Sequence, residues 1–166
     1  MGVAQGFLIG TLGIEPIIGT IAFGSIATGV ALWATGGNTV LPATTSRTYN
    51  DLANTVILGI PLETLVLLAV AAAVYALMQW TVWGRQSYLV GANDAAARTT
   101  GISRPRVVLI AFTIAGVCAG VAGVLVGAHN SAATLAFTIT YDFDALTAVL
   151  AGGVLITGGS GSVGRA

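Results

Sequence analysis

Apolar residues along the chain fall in long stretches at 7–34, 56–83 and 107–127, followed by a shorter one at 145–157. A helix needs about 20 apolar residues to cross the hydrocarbon of a bilayer, so the first three runs predict transmembrane helices. The fourth is too short to cross unaided and predicts a half-helix, or a span interrupted at Gly152 and Gly153. Inside the first run Pro16 follows Glu15, and proline removes a hydrogen bond from the helical ladder. That run therefore divides into the tail of a preceding helix over 1–14 and a span proper over 16–34. The pattern predicts an all-α fold, a polytopic transmembrane bundle with three full spans and a broken or half-helix, forming a single domain over 1–166.

The polar positions orient these spans. Arg85, Arg98, Arg104 and Arg106 fall within 84–106, where the only acid is Asp94, and short arginine-rich loops stay in the cytoplasm. Trp80 and Trp83 stand at the edge of that loop, as interfacial anchors do. The segments 35–55 and 128–144, with Asn50 and Asn130, then face outward; the span after Pro61 runs inward and the span after Pro105 runs outward.

Composition agrees. Only 7% of residues are charged against 55% hydrophobic, where a soluble domain carries about 25% charged residues, so a soluble fold would lack polar surface. The six basic residues balance six acids, which gives no electrostatic basis for nucleic-acid binding. Cys118 is the single cysteine, so neither a disulfide nor a thiolate metal site can form within the chain; no metal and no cofactor is expected. The opening MGVAQGFLIG has no basic n-region and no small-residue cleavage site, unlike a secretory signal.

Two local patterns carry further information. In the third run Gly116 and Gly120 are four apart, and Ala119, Gly123 and Gly127 form a second row of small residues, a spacing that lets helix backbones approach closely in lipid. In the arginine-rich loop, GANDAAARTTGI has the grammar of a short isolated helix. Asn93 can cap its start, Asp94 and Arg98 complement the dipole at its two ends, and Gly101 stops it. Ser103 and Pro105 then begin the next span. Ala95, Ala96 and Ala97 leave the helix smooth enough for a larger partner to enclose; the same string also serves as a plain connector, although a connector needs only a few residues.

The run GRQSYLVGANDAAARTTGISRPRVV resembles the cytoplasmic loop of permeases from ribose, xylose and galactose-type ATP-binding-cassette importers, through Gly91, Asn93, Ala96, Ala97, Thr100, Gly101 and Ile102. The resemblance continues through AGVCAGVAGVLVGAHNSA, through Tyr141, Asp144, Ala145, Gly152 and Gly153, and through Gly158 and Gly159; earlier, IEPIIGTIAFGSIATGVALWATGG is similar to a further family segment. Glu15 and Asp142 depart from the family pattern. The family's members are longer, with helices on both sides, which implies a partial permease. The resemblance implies a multi-pass protein of the bacterial inner membrane that moves a monosaccharide by alternating access in the lipid bilayer. Its implied partners are a separate ATPase subunit, a periplasmic sugar-binding protein and a second, identical or similar permease. The coupling loop would comprise Gly91, Asn93, Ala95, Ala96, Ala97, Arg98 and Gly101 within 84–106. No catalytic residue is expected, and the chain has no lysine from which to build a Walker loop. Permeases for branched-chain amino acids share the design and are the alternative.

Other polar or glycine-rich positions compete for attention. Gly159, Gly161 and Gly164 spell a dinucleotide-type pattern without its flanking strand and helix. Gly158, Gly159, Ser160 and Gly161 match a motif of intramembrane serine proteases, which requires a base beside the serine, whereas His129, the one histidine, is predicted at the opposite membrane face. Glu15, Asp144, Gly152 and Gly153 are candidates for the translocation path. Simpler roles compete: Glu15 at the interface beside the Pro16 break, and Asp144 capping a helix that begins at Ala145, with Asp142 exposed. Glu63 and His129 are read as polar residues near the outer ends of their helices.

Overall fold

The computed structural model describes residues 1–39, 55–57, 59–130, 132 and 136–153. Asn50, the end of the fourth apolar run and the glycine and serine motifs at 158–164 lie outside the described residues. Seven helices are described: α1 (Gly2–Leu12), α2 (Pro16–Thr35), α3 (Leu62–Trp80), α4 (Val82–Ala92), α5 (Asp94–Thr99), α6 (Arg104–His129) and α7 (Ala136–Ala151). Ahead of α3, β1 (Val56–Ile57) pairs with β2 (Ile60–Pro61) in a two-residue antiparallel ladder, turned by Gly59 at φ 83°. The three helices α2, α3 and α6 are long and apolar enough to cross a membrane.

The division of the first apolar run falls at the expected proline. Gly13 ends α1 at φ 67°, a left-handed conformation that suits glycine at a helix C-terminus. Glu15 stands extended in front of Pro16, which opens α2 at a position where a missing N–H costs nothing.

The best-packed part of the molecule is the seam between α1 and α6, which run antiparallel. Gly2, Gly6 and Gly10, one turn apart on α1, lie against Phe112 and Gly116, against Leu109, and against Pro105. A Cβ at Gly6 would come 2.9 Å from the Cα of Leu109, and one at Gly116 would come 2.9 Å from the Cα of Gly2. Any side chain larger than hydrogen would part the helices. At the α1–α2 corner Ile9, 1% exposed, fills the space in front of Gly19.

The expected packing residues of α6 therefore separate. Gly116 meets α1 and Gly127 is buried. Among the described residues Ala119, Gly120 and Gly123 are exposed, and a Cβ at Gly120 or Gly123 would meet no described atom within 4 Å. The reason is reach: the 11 residues of α1 rise about 16 Å and cover only the first half of α6. By contrast α3 buries no residue. It is tied to α6 at both ends, by Glu63 Oε1 to His129 Nδ1 at 3.1 Å and, just beyond its C-terminus, by Trp83, whose indole N–H donates to the Val107 carbonyl at 3.3 Å. These ties make α3 and α6 antiparallel, as the alternation of inward and outward spans requires.

Two expectations are corrected. Asp144 does not cap a helix beginning at Ala145: α7 begins at Ala136 and carries both Asp142 and Asp144 in its interior, each exposed. No proline or glycine interrupts 136–151, so nothing stops helix propagation once it has begun. The break at Gly152 and Gly153 is present, with Gly153 at φ 76°. The loop over 84–106 is also more structured than a single short helix, because α4 fills its first half. Thr81 is the cause. Its backbone is extended, its hydroxyl donates to the Leu77 carbonyl at 2.5 Å, and its Oγ1 accepts the Gly84 N–H at 3.2 Å, so one side chain closes α3 and opens α4.

Candidate coupling loop

Three helices meet in the arginine-rich segment with almost no connecting chain. Gly84 sits so tightly on the Met78 carbonyl that a Cβ there would overlap it, which sets how α4 leaves α3. Asn93 is at once the C-cap of α4 and the N-cap of α5. Its N–H donates to the Leu89 carbonyl at 3.1 Å, and its Oδ1 accepts the Ala96 N–H at 3.1 Å. At the other end the Ile102 N–H donates to the Ala97 carbonyl and the Gly101 N–H to the Arg98 carbonyl, both at 3.1 Å. With Gly101 at φ 78° this is a Schellman ending. The capping roles read from Asn93 and Gly101 are thus the ones the backbone uses. Gly91 lies exposed in the last turn of α4.

Two of the loop's four arginines meet at one carboxylate. Arg98 Nη2 reaches Asp94 Oδ2 at 2.9 Å, one turn along α5, and Arg104 Nε lies 3.9 Å from Oδ1 of the same residue. Oδ1 is buried and accepts no hydrogen bond. The Arg104 arm joins α5 to the first turn of α6 and is not apparent from spacing. Its signal in the sequence is that Asp94 is the lone acid among four arginines. The end of α1 reaches the same place, where Thr11 and Gly13 share an open depression with Arg98 and Arg104.

The alanine run is not uniform. Ala97 is 4% exposed, packed inside the chain, whereas Ala95 and Ala96 are exposed. Of the residues considered for a path, Glu15 is exposed at the α1–α2 corner and Asp144 on α7. Neither side chain is brought into a hydrogen bond or ion pair with another described residue. Gly152 and Gly153 mark the end of α7.

Apolar helices long enough to cross a bilayer, joined by a compact, arginine-lined three-helix turn, define a segment of a helical membrane protein. The chain belongs to the family described as branched-chain amino acid transport system / permease component, which matches residues 1–163. Ribose import permease protein RbsC of Bacillus subtilis (strain 168) is 28% identical over 159 residues, covering 96% of this chain and 49% of the relative. D-allose transport system permease protein AlsC of Escherichia coli (strain K12) is 29% identical over 163 residues, covering 98% of this chain and 49% of the relative. Autoinducer 2 import system permease protein LsrD of Yersinia enterocolitica is 30% identical over 115 residues, 69% of this chain and 35% of the relative. The chain spans about half the length of the ribose and allose permeases it matches. No solved structure matches it.

Proposed function

We propose that this chain is part of the permease subunit of an ATP-driven importer that carries a monosaccharide across the bacterial inner membrane, with 84–106 on the cytoplasmic side and α5 as the helix that engages a separate ATPase subunit. A periplasmic sugar-binding protein delivers the substrate, and a second permease subunit completes the path. The observation that carries the sugar reading is the agreement, over nearly the whole chain, with permeases whose names specify ribose and D-allose. The family description names branched-chain amino acids, and the relatives' names favour sugar over that alternative. The coupling reading rests on α5 itself, a helix with small exposed residues, held at both ends by caps and set among arginines that oppose translocation of the loop.

The test uses the full-length permease bearing this segment, coexpressed with its ATPase. Ala96→Trp adds an indole to an exposed position of α5 and should abolish copurification of the ATPase together with sugar uptake. Normal copurification and uptake would make α5 a connector. Ala97→Trp is not an equivalent probe, because Ala97 is buried in its own chain and an indole there disrupts the loop before any partner arrives.

A further inference from the structure

We infer that Asp94 is the positioning residue of the coupling helix: its carboxylate clamps α5 to Arg98 and to α6 through Arg104, leaving to the cytoplasmic partner an uncharged face made of Ala95, Ala96 and Thr99. The inference rests on the docking role of α5 and specifies which side docks. Successive helical residues are about 100° apart, so the burial of Ala97 fixes the direction of every other side chain. Ala95 and Thr99 then point away from the body of the chain, Ala96 occupies one flank, Arg98 the other, and Asp94 turns inward. The exposed or buried state of each agrees, since Ala95, Ala96 and Thr99 are exposed while Asp94 Oδ1 is buried.

The polarity of the outward face is spent internally. The Thr99 hydroxyl donates to the Ala96 carbonyl at 2.8 Å, and Arg98 Nη2 pairs with Asp94 Oδ2 at 2.9 Å. What the outward face offers a partner is methyl groups and shape, with the 65% exposed Arg98 side chain confined to the flank. The groove that receives α5 is accordingly apolar or neutral, and its recognition of this helix is not electrostatic. Asp94 acts at one remove: with Arg104 Nε 3.9 Å from its Oδ1, it biases the angle between α5 and the first turn of α6, so that movement of the partner reaches a membrane-spanning helix.

In the assembled transporter, Asp94→Asn should leave ATPase copurification within about twofold while lowering sugar uptake per ATP hydrolysed roughly fivefold, the scale of a partly exposed ion-pair network. Asp94→Glu should restore most of the coupling. Arg104→Gln, which cuts only the arm to α6, should reproduce the defect, and thermal stability in detergent separates lost coupling from lost folding. Copurification of the unmodified pair should be unchanged between roughly 50 and 500 mM salt. Full coupling in both Asp94→Asn and Arg104→Gln would overturn the clamp. Loss of the ATPase from Asp94→Asn in a stable protein, or a steep fall in copurification with salt, would place charge in the docking surface and overturn the neutral face. If Ala96→Trp is also silent, the failure belongs to the docking role of α5; if Ala96→Trp blocks assembly while Asp94→Asn is fully coupled, only the clamp is wrong.

Discussion

The N-terminal half of α6 and its C-terminal half carry the same kind of small residues and live in different surroundings. Gly116 meets the backbone of Gly2 on α1, while Gly120 and Gly123, one and two turns further along, face open space. The contrast extends to whole helices: α1 is seated on α6 glycine to backbone, whereas α3, a full span, buries no residue. A row of small residues states that a close neighbour is possible. Which neighbour takes it depends on helix length and on the rest of the assembly. The relatives are about twice this length, and among the described residues the C-terminal half of α6 and the flanks of α3 are left uncovered.

Substitution on the two halves of α6 and its partner tests that contrast most strongly. Gly6→Leu drives a side chain into Leu109 and Phe112 and should cost about 1 to 3 kcal/mol or more, as overpacking does. Gly120→Leu should be nearly neutral in comparison. Thermal unfolding of both variants in detergent decides: equal loss from Gly120→Leu would mean that the C-terminal half of α6 is covered in the assembled protein.

The remaining effects are smaller. Gly84→Ala sets a methyl on the Met78 carbonyl and should shift the angle between α3 and α4, at about 1 to 3 kcal/mol; proteolysis within 81–84 should become faster, and an unchanged digestion rate would show that the kink has slack. Least of all, Glu63→Gln should cost no more than about 1 kcal/mol, the range for an exposed ion pair, since the His129 side chain beside it is 67% exposed. A larger drop in melting temperature that persists in high salt would mean that this tie, and not bundle packing, is what holds α3 to α6.

The ends of α5 were readable from its residues because capping is local chemistry. An asparagine that can accept the N–H three residues on, and a glycine free to take φ 78°, define α5 without knowledge of the rest of the fold. The α1–α6 seam is a different problem. Gly2, Gly6 and Gly10 recur at four-residue spacing in plain view, but their partner lies about a hundred residues away and only the folded chain pairs them. Asp144 misleads for the opposite reason. Aspartate favours an N-cap, yet that preference decides a boundary only where the preceding residues can stop a helix, and 136–143 contain no glycine or proline. The bend at Thr81 leaves little trace, because threonine is common inside apolar spans and acts here through two hydrogen bonds that the sequence does not announce.

The sharing of Asn93 between α4 and α5 has a mechanical meaning. A flexible loop between two helices behaves as an entropic spring: pushing on one end mostly rearranges the loop, and little of the push arrives at the other. A joint one residue long, with both of its backbone neighbours hydrogen-bonded, has low compliance. Under the proposed docking of α5, a displacement of that helix is therefore passed to α4 through Asn93 and, through the tight turn at Gly101, to the base of α6.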